Sequence, residues 1–221
     1  MTETEWYSSH NLHQMLLQIQ NKTSDRKMRL FAVCCCKLVQ HSIPEIFAIQ
    51  AIEATNAAEQ FADKENRAGQ RNMGRASASM RRCLEPQDRP TEVTYALEAA
   101  RWSANVNALE AATRASMFAA MSEARATRRG RNQVDEMLSL YLHDIFGNPF
   151  RPLRTDPNWL TSTVVAIARG VYDERAFNRL PLLADALQDA GCENTDILDH
   201  CRGPGPHVRG CWVIDQLLGK S

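Results

Sequence analysis

The sequence predicts an all-α protein, a multi-helix bundle with long central helices and a compact C-terminal helical cluster. Three observations point there. Apolar residues recur at the three- and four-residue spacing of a helix face along most of the 221 residues. No stretch shows the strict alternation that a half-buried strand requires. Helix-starting and helix-stopping residues punctuate the C-terminal half in the expected order.

Taken from the N-terminus, a short segment around Leu12–Ile19 precedes SDRKMRLFAVCCCKLVQHS, where Ser24 is the expected N-cap. Leu30, Val33, Cys34 and Leu38 lie on one face of that helix. Successive helical residues point about 100° apart, so Cys34, Cys35 and Cys36 fan out and read as small core hydrophobes. Pro44 opens a helix to about Asp63, with Ile46, Ile49, Ile52 and Phe61 as expected core residues. The segment from Glu65 to Arg131 is rich in alanine and arginine and predicts long helices with shallow contacts, interrupted by a loop at Pro86 and Pro90. ALEAARW at Ala96 and ALEAATR at Ala108 echo each other, but two copies make no solenoid.

Val134, Met137, Leu138, Tyr141, Leu142 and Ile145 predict an amphipathic helix that Gly147 and Pro149 end. Asp156-Pro157 resembles a cap followed by an N1 proline, leading through Trp159, Val164, Ile167 and Val171. A further helix fits Leu180–Leu187 up to Gly191, Thr195 is the expected cap of a short helix into Cys201, and CWVIDQLLG closes the chain. The expected organisation is residues 1–64, 65–131 and 132–221, docked as one unit.

Hydrophobic content of 44% and charged content of 24% exclude wholesale disorder. A net charge of zero gives no global case for binding a polyanion. The charge is uneven, however: residues 65–131 carry twelve arginines against seven acids, and 171–200 carry seven acids against two arginines. MTETEWYSSH has neither part of a secretory signal, and no apolar run has membrane-spanning length. Seven cysteines, an odd number, then predict reduced thiols in a cytoplasm.

SDRKMRLFAVCCC, the alanine-rich middle, DIFGNPFRP, YDERAFNRLPLLADAL and HCRGPGPHVRGCWVIDQLLGK together resemble a group of planctomycete proteins. Members of that group share these two ends around a variable Ala/Trp/Arg-rich centre. The resemblance covers most of the chain, although its centre is less alanine-dominated and contains only Trp102. It implies a bacterial cytoplasmic protein and brings no activity, cofactor or site residue with it.

The candidate chemistry concentrates in His200–Trp212, HCRGPGPHVRGCW. Cys192, Cys201, His207 and Cys211 supply the ligand types of a structural zinc site, but their spacing lacks a CxxC knuckle. His200 and Cys201 are adjacent, so a helix aims them differently. For thiol chemistry, Cys201 would lie at a helix C-terminus, whose negative partial charge suppresses a thiolate. Cys211 would lie near a helix start beside Arg209, with His207 as a candidate base. Arg202 and Arg209 read either as an anion site or as structural ion pairs with Asp199, Asp196 or Asp215. The structural explanation, a rigid joint that docks the last helix, is the leading one.

Two arginine clusters complete the set. Arg67, Arg71 and Arg75 fall on one helical stripe, and Arg125, Arg128, Arg129 and Arg131 form a second group. Such stripes can neutralise phosphates, yet aromatic residues for stacking on bases are nearly absent. Asp173, Glu174 and Asp185 are too dispersed for a carboxylate pair. The expected function is therefore a non-enzymatic protein-interaction or scaffold module. Nucleic-acid binding through the arginines is the first alternative, and a thiol enzyme or zinc protein centred on the C-terminal Cys/His cluster is the second.

Overall fold

The computed structural model describes residues 1–85 and 88–220. Among these residues it contains twelve α-helices, three short 3-10 turns and no strand, an all-α multi-helix bundle. The expected break at Pro86 lies outside the described residues, while Pro90 stands at the start of a helix. The chain divides into two compact units, 1–139 and 140–221. The boundaries expected from composition at 64 and 131 are therefore not where the fold divides.

The first unit holds α1 (Glu3–Ser8), α2 (Leu12–Ile19), α3 (Asp25–Leu38), α4 (Glu45–Asp63), α5 (Arg67–Cys83), α6 (Thr91–Ser103) and α7 (Ala108–Thr127). It also holds the first nine residues of α8 (Arg131–Phe146). Helix α1 was not anticipated; Thr2 and Glu5 form a reciprocal capping box that starts it, and Trp6 is buried. Ser24 caps α3 as expected, its hydroxyl accepting from the Lys27 amide. Every residue from Met28 to Cys36 is buried, so α3 is enclosed on all sides by α4, α6 and α7. The three adjacent cysteines are part of that core.

Alanine sets the geometry of this unit. Ala96, Ala99 and Ala100 on α6 and Ala111, Ala112, Ala115, Ala119 and Ala120 on α7 are completely buried. Side chains this small let helix backbones approach closely, and close approach multiplies dispersion contacts along the whole helix. Helix α4 follows the same rule, burying Ala51, Ala54, Ala58 and Ala62. Its isoleucines are consequently on the other side. Ile46, Ile49 and Ile52, expected in the core, are exposed, and Phe61 is half-buried. Arg29 is buried as well; its guanidinium donates to the carbonyls of Asn105 (2.7 Å) and Val106, which ties α3 to the turn between α6 and α7.

The second unit contains the end of α8, then α9 (Ser162–Glu174), α10 (Leu180–Asp189), α11 (Thr195–Arg202) and α12 (Trp212–Leu217). Gly147 ends α8 in the left-handed region (φ +63°), as its position predicts. Asp156 and Pro157 begin only a 3-10 turn; α9 starts later, where the Thr161 hydroxyl accepts from the Val164 amide. Asn194, one residue before the expected Thr195, caps α11. Val164, Val171, Leu183, Leu187, Ile197 and Ile214 lead a single apolar core. Among the described residues no helix is long and apolar enough to cross a membrane.

The alanine-packed arrangement makes a specific claim about volume. Ala115→Leu is expected to destabilise the protein by about 1–3 kcal/mol through overpacking, read from denaturant midpoints. Ile46→Ala should stay within about 0.5 kcal/mol, as for ordinary surface changes. A large cost at Ile46 would show that α4 is turned the other way.

Candidate functional site

The densest chemistry lies in the second unit, where α8, α11, the Gly203–Gly210 loop and the start of α12 meet. Asp144 occupies the last turn of α8, His200 the last turn of α11, His207 the loop, and Cys211 the N-cap of α12. One ligand-type atom from each of these four residues lies within 4.8 Å of the others.

Asp144 is the hub, with 3% of its surface exposed. Its Oδ2 accepts from the Val208 amide at 2.9 Å. Its Oδ1 faces His207 Nδ1 at 2.7 Å and His200 Nε2 at 3.2 Å. His200 Nε2 also lies 3.1 Å from Cys211 Sγ. The remaining ring nitrogens define the tautomers. Trp212 Nε1–H can only donate, so His200 Nδ1, at 3.2 Å, accepts, and the His200 proton sits on Nε2. His207 Nε2 donates to the Gly203 carbonyl at 3.4 Å. With Nδ1 also directed at a carboxylate, His207 carries both protons and pairs with Asp144 as an imidazolium.

The backbone has to permit this meeting. Gly205 adopts φ +81°, and a Cβ there would stand 2.8 Å from the His207 amide nitrogen. A Cβ on Gly147 would stand 3.0 Å from the Trp212 ring. Both positions therefore require glycine, one to turn the loop and the other to admit the indole beside His200.

Protonation follows from the same contacts. Burial alone raises the Asp144 pKa, but hydrogen bonds from His200 and His207 outweigh it and leave the carboxyl below its ordinary value. Burial lowers the His207 pKa, whereas the Asp144 hydrogen bond and charge raise it, for a net increase. Burial pushes the Cys211 thiol well above its ordinary value, and the Asp144 charge adds to that. The Cys201 thiol is pushed up by burial to about 12.

The structure sorts the residues singled out from sequence. His207 and Cys211 do converge, but Cys192 and Cys201 are not part of the group; His200 and Asp144 stand in their place. Cys192 and Cys201 belong to the apolar core. The adjacency of His200 and Cys201 explains the exchange, because a helix that turns Cys201 inward aims His200 at the loop. The thiol-and-base reading needs correction on two counts. The base nearest Cys211 is His200, not His207, and the thiol is wholly buried with a raised pKa. A catalytic triad also places the carboxylate on the imidazole nitrogen opposite the nucleophile. Here one nitrogen, His200 Nε2, faces both Asp144 and Cys211.

The arginines of this region have structural partners. Arg202 donates to Asp185 (2.9 Å) and Gln188 (2.7 Å), joining α11 to α10 rather than pairing with Asp196, Asp199 or Asp215. Arg209 lies over the Tyr172 ring at 4.5 Å and donates to its hydroxyl.

In the first unit, Arg67, Arg71 and Arg75 form an exposed row on α5. The second arginine cluster is largely occupied: Arg131 pairs with Asp135 (2.9 Å), Arg129 approaches Glu123 (3.7 Å), and Arg125 lies over Tyr95. Arg128 ends α7 with a positive φ of 57°. A further feature, which reading α4 as a core helix concealed, is the apolar outer face of that helix. Ile46, Ile49 and Ile52 are 74%, 67% and 41% exposed. Glu45 and Glu53 flank them.

Comparison of the chain with protein-family models, curated proteins and solved structures gives no match.

Burial and thiol acidity make a testable ranking. Cys83 is the half-exposed thiol, while the other six cysteines are buried. Iodoacetamide at neutral pH is expected to label Cys83 in the native protein and Cys211 only on unfolding, as mapped by peptide mass spectrometry. Rapid native labelling of Cys211 would return it to the list of nucleophiles.

Proposed function

We propose that this protein is a non-enzymatic helical interaction module that engages a protein partner through the outer face of α4. The exposed row Ile46, Ile49 and Ile52 carries this reading. Single exposed apolar residues are ordinary on a soluble protein, but three β-branched ones at helical spacing form a contiguous strip suited to docking. The complementary partner is an amphipathic helix whose apolar residues recur every three or four positions, with basic side chains opposite Glu45 and Glu53. The resemblance of both chain ends to planctomycete proteins supports a bacterial cytoplasm as the setting. The buried Cys211 thiol and the arrangement around His200 support a module without turnover.

Burying one isoleucine contributes about 1.5–3 kcal/mol, so losing it should weaken association about tenfold or more. Ile49→Asp, compared with the wild-type protein as immobilised bait for a cell extract, should lose its specific partner by at least that factor. Its melting temperature should be unchanged, since the residue is outside the core. Equal retention by both baits, with both proteins monomeric in sedimentation, removes the reading.

The exposed row Arg67, Arg71 and Arg75 favours a second reading, contact with a nucleic-acid backbone along α5. It requires binding whose affinity falls linearly with the logarithm of salt concentration. Fluorescence anisotropy with labelled duplex and single strands is the check. No binding at low ionic strength eliminates it.

A further inference from the structure

We propose that Asp144, His200, His207 and Cys211 form a four-coordinate structural site for a divalent transition metal of the zinc class. The geometry points to it first. Zinc bonds of about 2.0–2.3 Å directed to tetrahedral corners place donor atoms roughly 3.3–3.8 Å apart. The separations here are 2.7 Å (His207 Nδ1 to Asp144 Oδ1), 3.2 Å (His200 Nε2 to Asp144 Oδ1) and 3.1 Å (His200 Nε2 to Cys211 Sγ). None of the four ligand atoms is more than 4.8 Å from another. Small shifts of the donors bring these separations to tetrahedral values around a central ion.

The donor set selects the ion class. One thiolate, two imidazoles and one carboxylate suit a borderline-soft transition metal. Calcium and magnesium call for oxygen donors instead. Coordination is also closed, with four protein donors and none left to an exchangeable water, and Asp144 and Cys211 are buried. That is the pattern of a structural centre rather than a catalytic one. Binding releases two protons, one from the Cys211 thiol and one from the His207 imidazolium, and leaves thiolate and neutral imidazole on the metal.

The surrounding contacts orient two of the donors, Asp144 and His207. The Val208 amide holds Asp144 Oδ2, leaving Oδ1, the oxygen that already faces both histidines, as the ligand. His207 Nε2 donates to the Gly203 carbonyl, so Nδ1 is its ligating nitrogen. Asp144 and His200 sit in the last turns of two helices, whose C-terminal partial charge favours a cation. His200 is the exception. A metal on Nε2 moves its proton to Nδ1, where it meets the donating Trp212 Nε1–H at 3.2 Å. That hydrogen bond must be given up, which makes Trp212 a built-in reporter of metal binding.

The test uses the full chain, stripped with a chelator and titrated with Zn²⁺ or Co²⁺ alone. Expected results are one metal per chain, a thiolate-to-cobalt charge-transfer band with tetrahedral d–d bands, and a change in tryptophan fluorescence that Trp212→Phe abolishes. Cys211→Ser should eliminate the charge-transfer band. It should also weaken zinc binding by at least about 100-fold, the upper end of the loss caused by removing an outer-shell partner. Cys201→Ser, which alters a neighbouring core thiol, should retain the band. Should Cys211→Ser fail to fold, the wild-type cobalt spectrum alone decides. A folded wild-type chain without stoichiometric metal, or with bound cobalt lacking the charge-transfer band, overturns the proposal. Retention of the band in a folded Cys211→Ser protein does so equally.

Discussion

A carboxylate removed from water costs several kcal/mol unless fixed donors replace its hydration. Asp144 is in that position, and meeting its needs organises the end of the second unit. The Val208 amide and the His207 ring satisfy it only if the loop after α11 doubles back on itself. That return needs the positive φ of Gly205 and places Cys211 where α12 can begin. His200, drawn to the same oxygen, then presents its far nitrogen to Trp212, whose ring occupies the space left by the missing Cβ of Gly147. The Gln216 side chain completes the attachment by donating to the Leu153 carbonyl. The expectation of a rigid joint at HCRGPGPHVRGCW thus has a mechanism, a buried charge with convergent partners.

The first unit rests on a different constraint. Its helices are held by alanine contacts that allow backbones close together, with α3 enclosed among them and Arg29 bonding the α6–α7 turn. Helix α4, at the outside of this packing, presents one face to it. When the alanines of α4 take it, Ile46, Ile49 and Ile52 have nowhere to go but outward. The isoleucine row is therefore a consequence of how α4 packs.

Much of the fold was legible because caps act locally. Ser24, Pro44 and Gly147 mark helix ends through groups only a few residues away, and the structure places the ends there. The Thr2–Glu5 capping box carries the same kind of local signal for α1. The facing of α4 was not legible in this way. Its apolar residues fill two faces, one of alanine and one of isoleucine, and ranking them by size selects the wrong one. The site divides along the same line. HCRGPGPHVRGCW announced ligand chemistry, but Asp144 comes from DIFGNPFRP, far away in the chain. No local spacing rule connects the two segments. Their meeting at one buried carboxylate gives the two segments a common physical role.

That meeting also bears on how the protein can work. A nucleophile–imidazole–carboxylate triad needs a nucleophile that substrate can reach, with that nucleophile and the carboxylate on opposite sides of the imidazole. The group around Asp144 instead directs its donor atoms inward to one point and encloses them. Such an arrangement can hold a proton or a metal ion, and either occupant reinforces the joint between α8, α11 and α12. Under the proposed readings, the isoleucine row of α4 would offer exposed apolar area to a partner, and the arginine row of α5 would offer charge. The first favours a protein and the second a polyanion, and affinity for a polyanion falls more steeply with salt because all of its contact is charged.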